Sequence, residues 1–129
     1  MPWKFNKHYS REEARDLLPR VSGWLERLQS LHEQIARYDQ QSEFSLRSGD
    51  DLGGRRVNDW VIHTSEFKTV LREFEVREIQ IKNIERGLID FPTLMGNKEA
   101  FLCWEQGEED ITNWHELDSE NTGHEETGS

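Results

Sequence analysis

Ile79-Gln-Ile-Lys-Asn-Ile-Glu-Arg-Gly-Leu-Ile-Asp-Phe-Pro92, with Ala100-Phe-Leu-Cys-Trp104 behind it, is where the chain changes period. Upstream, apolar residues recur every three or four positions. Here Ile79 and Ile81 alternate with Gln80 and Lys82, the two-residue period of a strand. Three short strands are expected, at about 78–82, 88–92 and 100–105. Asn83 to Gly87 forms the first turn, with Gly87 free to take a positive φ, and Gly96-Asn97 forms the second. Pro92 has no amide to give a ladder, which puts its strand end at an edge or a bulge. If Asp90 pairs with Cys103, then Ile89, Phe91, Leu102 and Trp104 share one apolar face, and Asp90 and Cys103 lie together on the other. A slip of one residue mixes Asp90 with Leu102 or Trp104, so the first register is expected.

The apolar face needs a partner, and the upstream sequence supplies it. Ser10-Arg-Glu-Glu13 is a capping box, and Ala14, Leu17, Val21, Trp24, Leu28, Leu31, Ile35 and Tyr38 follow at alternating three- and four-residue spacings, widened by Leu18 and Leu25. This predicts a helix over about 11–42, with Pro19 either kinking it or ending a short first helix there. Residues 42–56, with Ser, Asp and three glycines, read as a connection in which Gly53-Gly54 is a hinge. Val57, Trp60, Thr64, Phe67, Leu71 and Phe74 then mark a second helix over about 57–77. Two amphipathic helices joined by a loop make an antiparallel hairpin. Such a hairpin has more apolar stripe than one small sheet covers, which predicts a homodimer.

Glu108 to Leu117 reads as a short closing helix that stacks Ile111, Trp114 and His115 on one side. The expected fold is therefore α+β: a long antiparallel helical hairpin on a small three-stranded antiparallel sheet, with a short C-terminal helix, as a single domain over 1–117. Residues 118–129 carry no large apolar side chain and read as a disordered acidic tail. In that tail His124, Glu125 and Glu126 are read as solvated rather than metal-collecting.

The 129 residues carry 26 acidic and 16 basic side chains, and nine of the acidic ones lie between Glu105 and Ser129, where there is no Lys or Arg. The body is nearly neutral. This argues against nucleic acid as a partner, because such binding is driven by Lys and Arg on phosphates. No apolar run reaches the roughly 20 residues that span a bilayer, and the first residues have no apolar signal core. A single cysteine fits a reducing compartment. Together these predict a cytoplasmic protein without a membrane partner. Gly53-Gly54-Arg-Arg lacks the Lys-Ser/Thr of a phosphate loop, and no nucleophile elbow is present.

Several segments resemble a bacterial family known as domain of unknown function 2203. They are Gly87-Leu-Ile-Asp-Phe-Pro92, Leu102-Cys-Trp104 followed by Gly107-Glu108, Trp114-His-Glu116, and the opening Lys7-His-Tyr-Ser-Arg-Glu-Glu-Ala14 with Leu17-Leu-Pro19. The matches run from about residue 7 to residue 116. The resemblance implies a shared fold and assigns no activity. Relatives of this kind often carry a Gly before the first strand and a Gly-Phe with Arg near the end. Phe74-Glu-Val-Arg-Glu78 holds no such Gly here, and the tail is acidic instead.

One cluster carries chemistry. Asp90, Cys103 and His115 offer oxygen, sulfur and nitrogen donors, with Glu108 or Glu116 as a fourth; such a mixed set suits zinc, and three protein ligands plus water make a hydrolytic site. No Cys-x-x-Cys or His-x-x-x-His pair supports it. Cys103 as a nucleophile, with His115 as base and Asp90 orienting it, is a second possibility, although apolar flanks and acidic neighbours raise a thiol's pKa. In a third, purely structural reading, Cys103, Trp104, Trp114 and His115 are core residues. His32 and His63 read as helix-surface residues. The expected function is a cytoplasmic homodimeric interaction or accessory module with no assigned catalytic residue and no cofactor. The alternative is a zinc-binding protein or metal-dependent hydrolase built on Asp90, Cys103, His115 and Glu108.

Overall fold

Ser10 and Glu13 start the first helix by satisfying each other's backbone: the Glu13 amide donates to Ser10 Oγ (3.1 Å) and the Ser10 amide donates to Glu13 Oε1 (2.8 Å). In the computed structural model, which describes residues 3–48 and 55–117, α1 then runs over Arg11–Ser48. It is longer than its apolar pattern indicated, and it does not end at Pro19. Pro19 removes one hydrogen bond, but Ala14, Leu18, Val21, Leu25, Leu28 and Leu31 are buried on both sides of it. Each buried Leu contributes about 1.5–3 kcal/mol, which offsets the local loss of about 3 kcal/mol. Leu18 and Leu25 prove more central than Leu17 and Trp24, which pack at the margin.

Helix α2, Arg55–Val76, packs antiparallel on α1, as the hairpin reading requires. Its C-terminal end is closed by two bonds, from the Glu78 amide to the Glu75 carbonyl (3.0 Å) and from the Ile79 amide to the Phe74 carbonyl (3.0 Å). That is a Schellman motif, in which the residue after the last helical turn takes a left-handed conformation. Glycine is usual there, but this chain has Glu78 at φ 60°.

Four strands follow: β1 Gln80–Asn83, β2 Leu88–Met95, β3 Lys98–Glu105 and β4 Asn113–Glu116, antiparallel in the order β1-β2-β3-β4. The expected register holds, with Asp90 opposite Cys103 and Ile89 opposite Trp104. Ile89, Phe91, Leu102, Trp104 and Ile111 join the helices in one apolar core. Gly87 and Gly96 both have positive φ in the turns. Pro92 lies inside β2 rather than at its end. Its carbonyl accepts from the Tyr9 amide (2.7 Å), so its amide side also faces away from β3, beyond the last β1 pairing at Gln80–Asp90. No ladder bond is lost there, and the strand continues to Met95.

The closing helix is not formed. Residues 113–116 are instead a fourth strand on β3, with Cys103 opposite Asn113 and Phe101 opposite His115. Thr, Asn, Trp and His are weak helix formers, and Asn113 and His115 are buried while Trp114 turns to the helix side. The three-stranded sheet is thus four-stranded, and His115 reaches the far face by alternation along a strand. The expected acidic tail and the Gly53-Gly54 hinge lie outside the described residues. Among the described residues, no helix is long and apolar enough to cross a membrane.

The sheet's far face is covered by the segment before α1. Phe5 sits edge-on to Phe101 at 5.5 Å, and the two form one small apolar cluster with Cys103, against which Leu117 packs.

Candidate metal centre

Three neighbouring strands each contribute one donor to the same spot. Asp90 comes from β2, Cys103 from the paired position on β3 and His115 from β4, and all three point to the far face because the sheet register aligns them. Their donor atoms lie within 4.8 Å of one another, the one such group among the described residues. Asp90, Cys103 and His115 are each only 1–2% exposed.

His115 is fixed at both ring nitrogens. Nδ1 lies 2.9 Å from the Glu116 carbonyl oxygen and Nε2 lies 3.1 Å from Asp90 Oδ2. A carbonyl only accepts, so Nδ1 carries the proton and donates to Glu116. In the neutral ring Nε2 then presents a lone pair to a carboxylate. Two acceptors facing each other in a dry site need a cation or a further proton between them.

Lys82 supplies one positive charge nearby. Its Nζ lies 3.8 Å from the same Asp90 oxygen and 5.5 Å from the Phe101 ring centre, with the side chain partly in solvent. The register shift between Ile81 and Asn83 puts Lys82 at an irregular position on β1. The sequence alternation placed Lys82 on the face opposite the apolar one, but the β1–β2 register that brings it to Asp90 was not legible.

Burial pushes the Cys103 thiol well above its ordinary range; the charge of Asp90 and a hydrogen bond to it push the same way and outweigh the opposing pull of Lys82. A thiol held protonated in this way is a poor nucleophile, which weighs against the Cys103–His115 catalytic reading.

Glu108 does not join the donors. Its Oε1 accepts from the Glu105 amide (2.8 Å) and its carbonyl accepts from Trp104 Nε1 (3.0 Å), so it closes the turn after β3. Glu116 takes part through its backbone carbonyl, not its carboxylate. His32 is exposed and His63 half-buried on the helices, away from the cluster.

A family model described as "Uncharacterized conserved protein (DUF2203)" matches residues 7–125. Comparison with curated proteins and with solved structures finds no match.

Proposed function

Because the chain belongs to the DUF2203 family, whose description names no activity, we propose its function from the geometry of the site: a metal-binding protein that holds one zinc ion on Asp90, Cys103 and His115. The observation that carries this is the His115 ring, locked through Nδ1 on a backbone carbonyl with Nε2 aimed at a carboxylate. Zinc-ligating histidines almost always donate their other nitrogen in this way, which fixes the tautomer and aims the lone pair. The spacing agrees. Tetrahedral zinc with bonds of about 2.0–2.2 Å sets nitrogen and oxygen ligands about 3.3 Å apart, close to the 3.1 Å between Nε2 and Oδ2.

A thiolate, an imidazole and a carboxylate together suit zinc better than magnesium or calcium, which take oxygen ligands. Three protein ligands leave the fourth position to a non-protein ligand. Competition titration with a chromogenic chelator tests the reading. Wild-type protein is expected to bind one zinc per chain, and the Cys103→Ser, His115→Ala double variant at least about a hundredfold more weakly. Equal affinity in the two proteins would refute it.

A homodimer is the second reading, and one region favours it. The sheet covers only the half of the hairpin nearest Phe74. Farther along α2, Val57, Val61 and Ile62 remain 38–54% exposed. A second copy packing there would form a four-helix interface. Native mass spectrometry would give twice the chain mass, and a Val61→Glu variant would give the single mass.

A further inference from the structure

We propose that residues 3–8 are a hinged strap, latched by Glu99 and Glu78, whose release is the route by which solutes reach the Asp90–Cys103–His115 cluster. The proposal deepens the zinc reading, because three donors at 1–2% exposure need an opening before any ion can arrive.

The strap has no helix or strand of its own, and its backbone is tied down by two carboxylates from the body. Glu99, on β3, accepts from the Lys4 amide (2.8 Å), the Phe5 amide (3.0 Å) and His8 Nε2 (2.8 Å). Glu78 accepts from the Asn6 and Lys7 amides at 2.8 and 2.7 Å. Only Phe5 among these residues is buried; its ring meets Phe101, and both belong to the apolar cluster that includes Cys103.

The next residue, Tyr9, is anchored differently. Its amide donates to Pro92, its carbonyl accepts from Thr93 Oγ1 (2.6 Å), its hydroxyl donates to the Arg77 carbonyl (2.8 Å), and its ring meets Phe91 in the main core. A segment held by many polar bonds and one aromatic, next to a firmly packed residue, opens as a unit at that residue.

Glu78 gives an independent indication. It occupies the left-handed position that ends α2, where a side chain is strained and glycine is favoured. A glutamate there makes sense if its carboxylate is needed elsewhere, and its carboxylate holds two strap amides.

The chain has one cysteine, so the test is thiol trapping of chelator-treated protein with an aromatic disulfide. The Cys103 thiolate attacks the reagent's S–S bond, a mixed disulfide forms, and one coloured thiolate leaves per chain. Phe5→Ala and Glu99→Ala are each expected to speed trapping at least tenfold. Arg86→Ala, which breaks the Arg86–Glu105 pair at the other end of the strand, is expected to leave the rate unchanged. Glu78→Gly is expected to speed trapping while the melting temperature holds or rises, a combination that general unfolding does not produce.

Strap variants that trap as slowly as wild type, or an Arg86→Ala variant as fast as they are, would overturn the proposal. So would acceleration by Lys82→Ala alone, which would assign the route to the lysine side. Because no metal is present, failure here leaves the zinc titration standing, and failure of the titration leaves this result standing.

Discussion

The two faces of the sheet are buried almost equally, yet they are built on opposite principles. The helix side holds Ile89, Phe91, Leu102, Trp104 and Ile111, and it faces a stripe of leucines on α1. The far side holds the polar group Asp90, Cys103 and His115 beside a small apolar cluster in which Phe5, from the segment before α1, meets Phe101. An apolar face stabilises in proportion to the area it removes from water. A buried acid and imidazole in the same setting do no better than hydrophobic residues of equal size, and often worse. The far face is therefore expected to add less stability than the helix side, as a face kept for function would.

Breaking each face separately should show the contrast. Phe91→Ala, on the helix side, is expected to lower stability by about 3–5 kcal/mol in urea unfolding. Asp90→Leu combined with His115→Leu is expected to leave stability unchanged or raise it by about 1–4 kcal/mol, while abolishing zinc binding. Equal, large losses from both would mean that the polar cluster is a structural element and the two faces do the same work.

Lys82 sharpens the comparison from within the far face. Its ammonium shares Asp90 with the proposed ion, so the two positive charges oppose each other. Removing that charge by Lys82→Met is expected to tighten zinc binding about tenfold, since the side chain is partly in solvent and its field is screened. The competition titration reads this directly, and weaker binding would show that Lys82 assists the ion.

The smallest effect expected is a local one, at the strap. Burial alone would raise the Glu99 carboxyl; the bonds from His8, Lys4 and Phe5 and the charge on His8 outweigh it and hold the group below its ordinary value. A depressed acid contributes its full stabilisation above the ordinary value and loses it as pH falls through the folded value. The amide resonances of Lys4 and Phe5 should therefore shift in acid, while those of Ile89 and Phe91 hold until global unfolding. Simultaneous shifts on both faces would make the strap part of the core.

The helix-facing half of this comparison was legible in the sequence because apolar alternation carries it. Ile89, Phe91, Leu102 and Trp104 fall on one side only if Asp90 meets Cys103, and the register followed. The capping box at Ser10 and Glu13 was legible because its bonds are local. The far half was harder to read. In β4 the side chains that turn inward to the far face are Asn113 and His115, so no hydrophobic period marks the strand, and three-residue spacing from Ile111 to Trp114 imitated a helix. Lys82 reaches Asp90 through a pairing register interrupted by a bulge. Residues 3–8 have no period at all, since carboxylates distant in the chain bond their backbone.

Zinc K-edge X-ray absorption on the loaded protein tests the central claim most directly. A first shell of one sulfur at about 2.3 Å and nitrogen or oxygen neighbours at about 2.0–2.2 Å is expected, with the sulfur lost in Cys103→Ser. A shell without sulfur, or one unchanged by that substitution, would contradict the assignment of Asp90, Cys103 and His115 as the metal site.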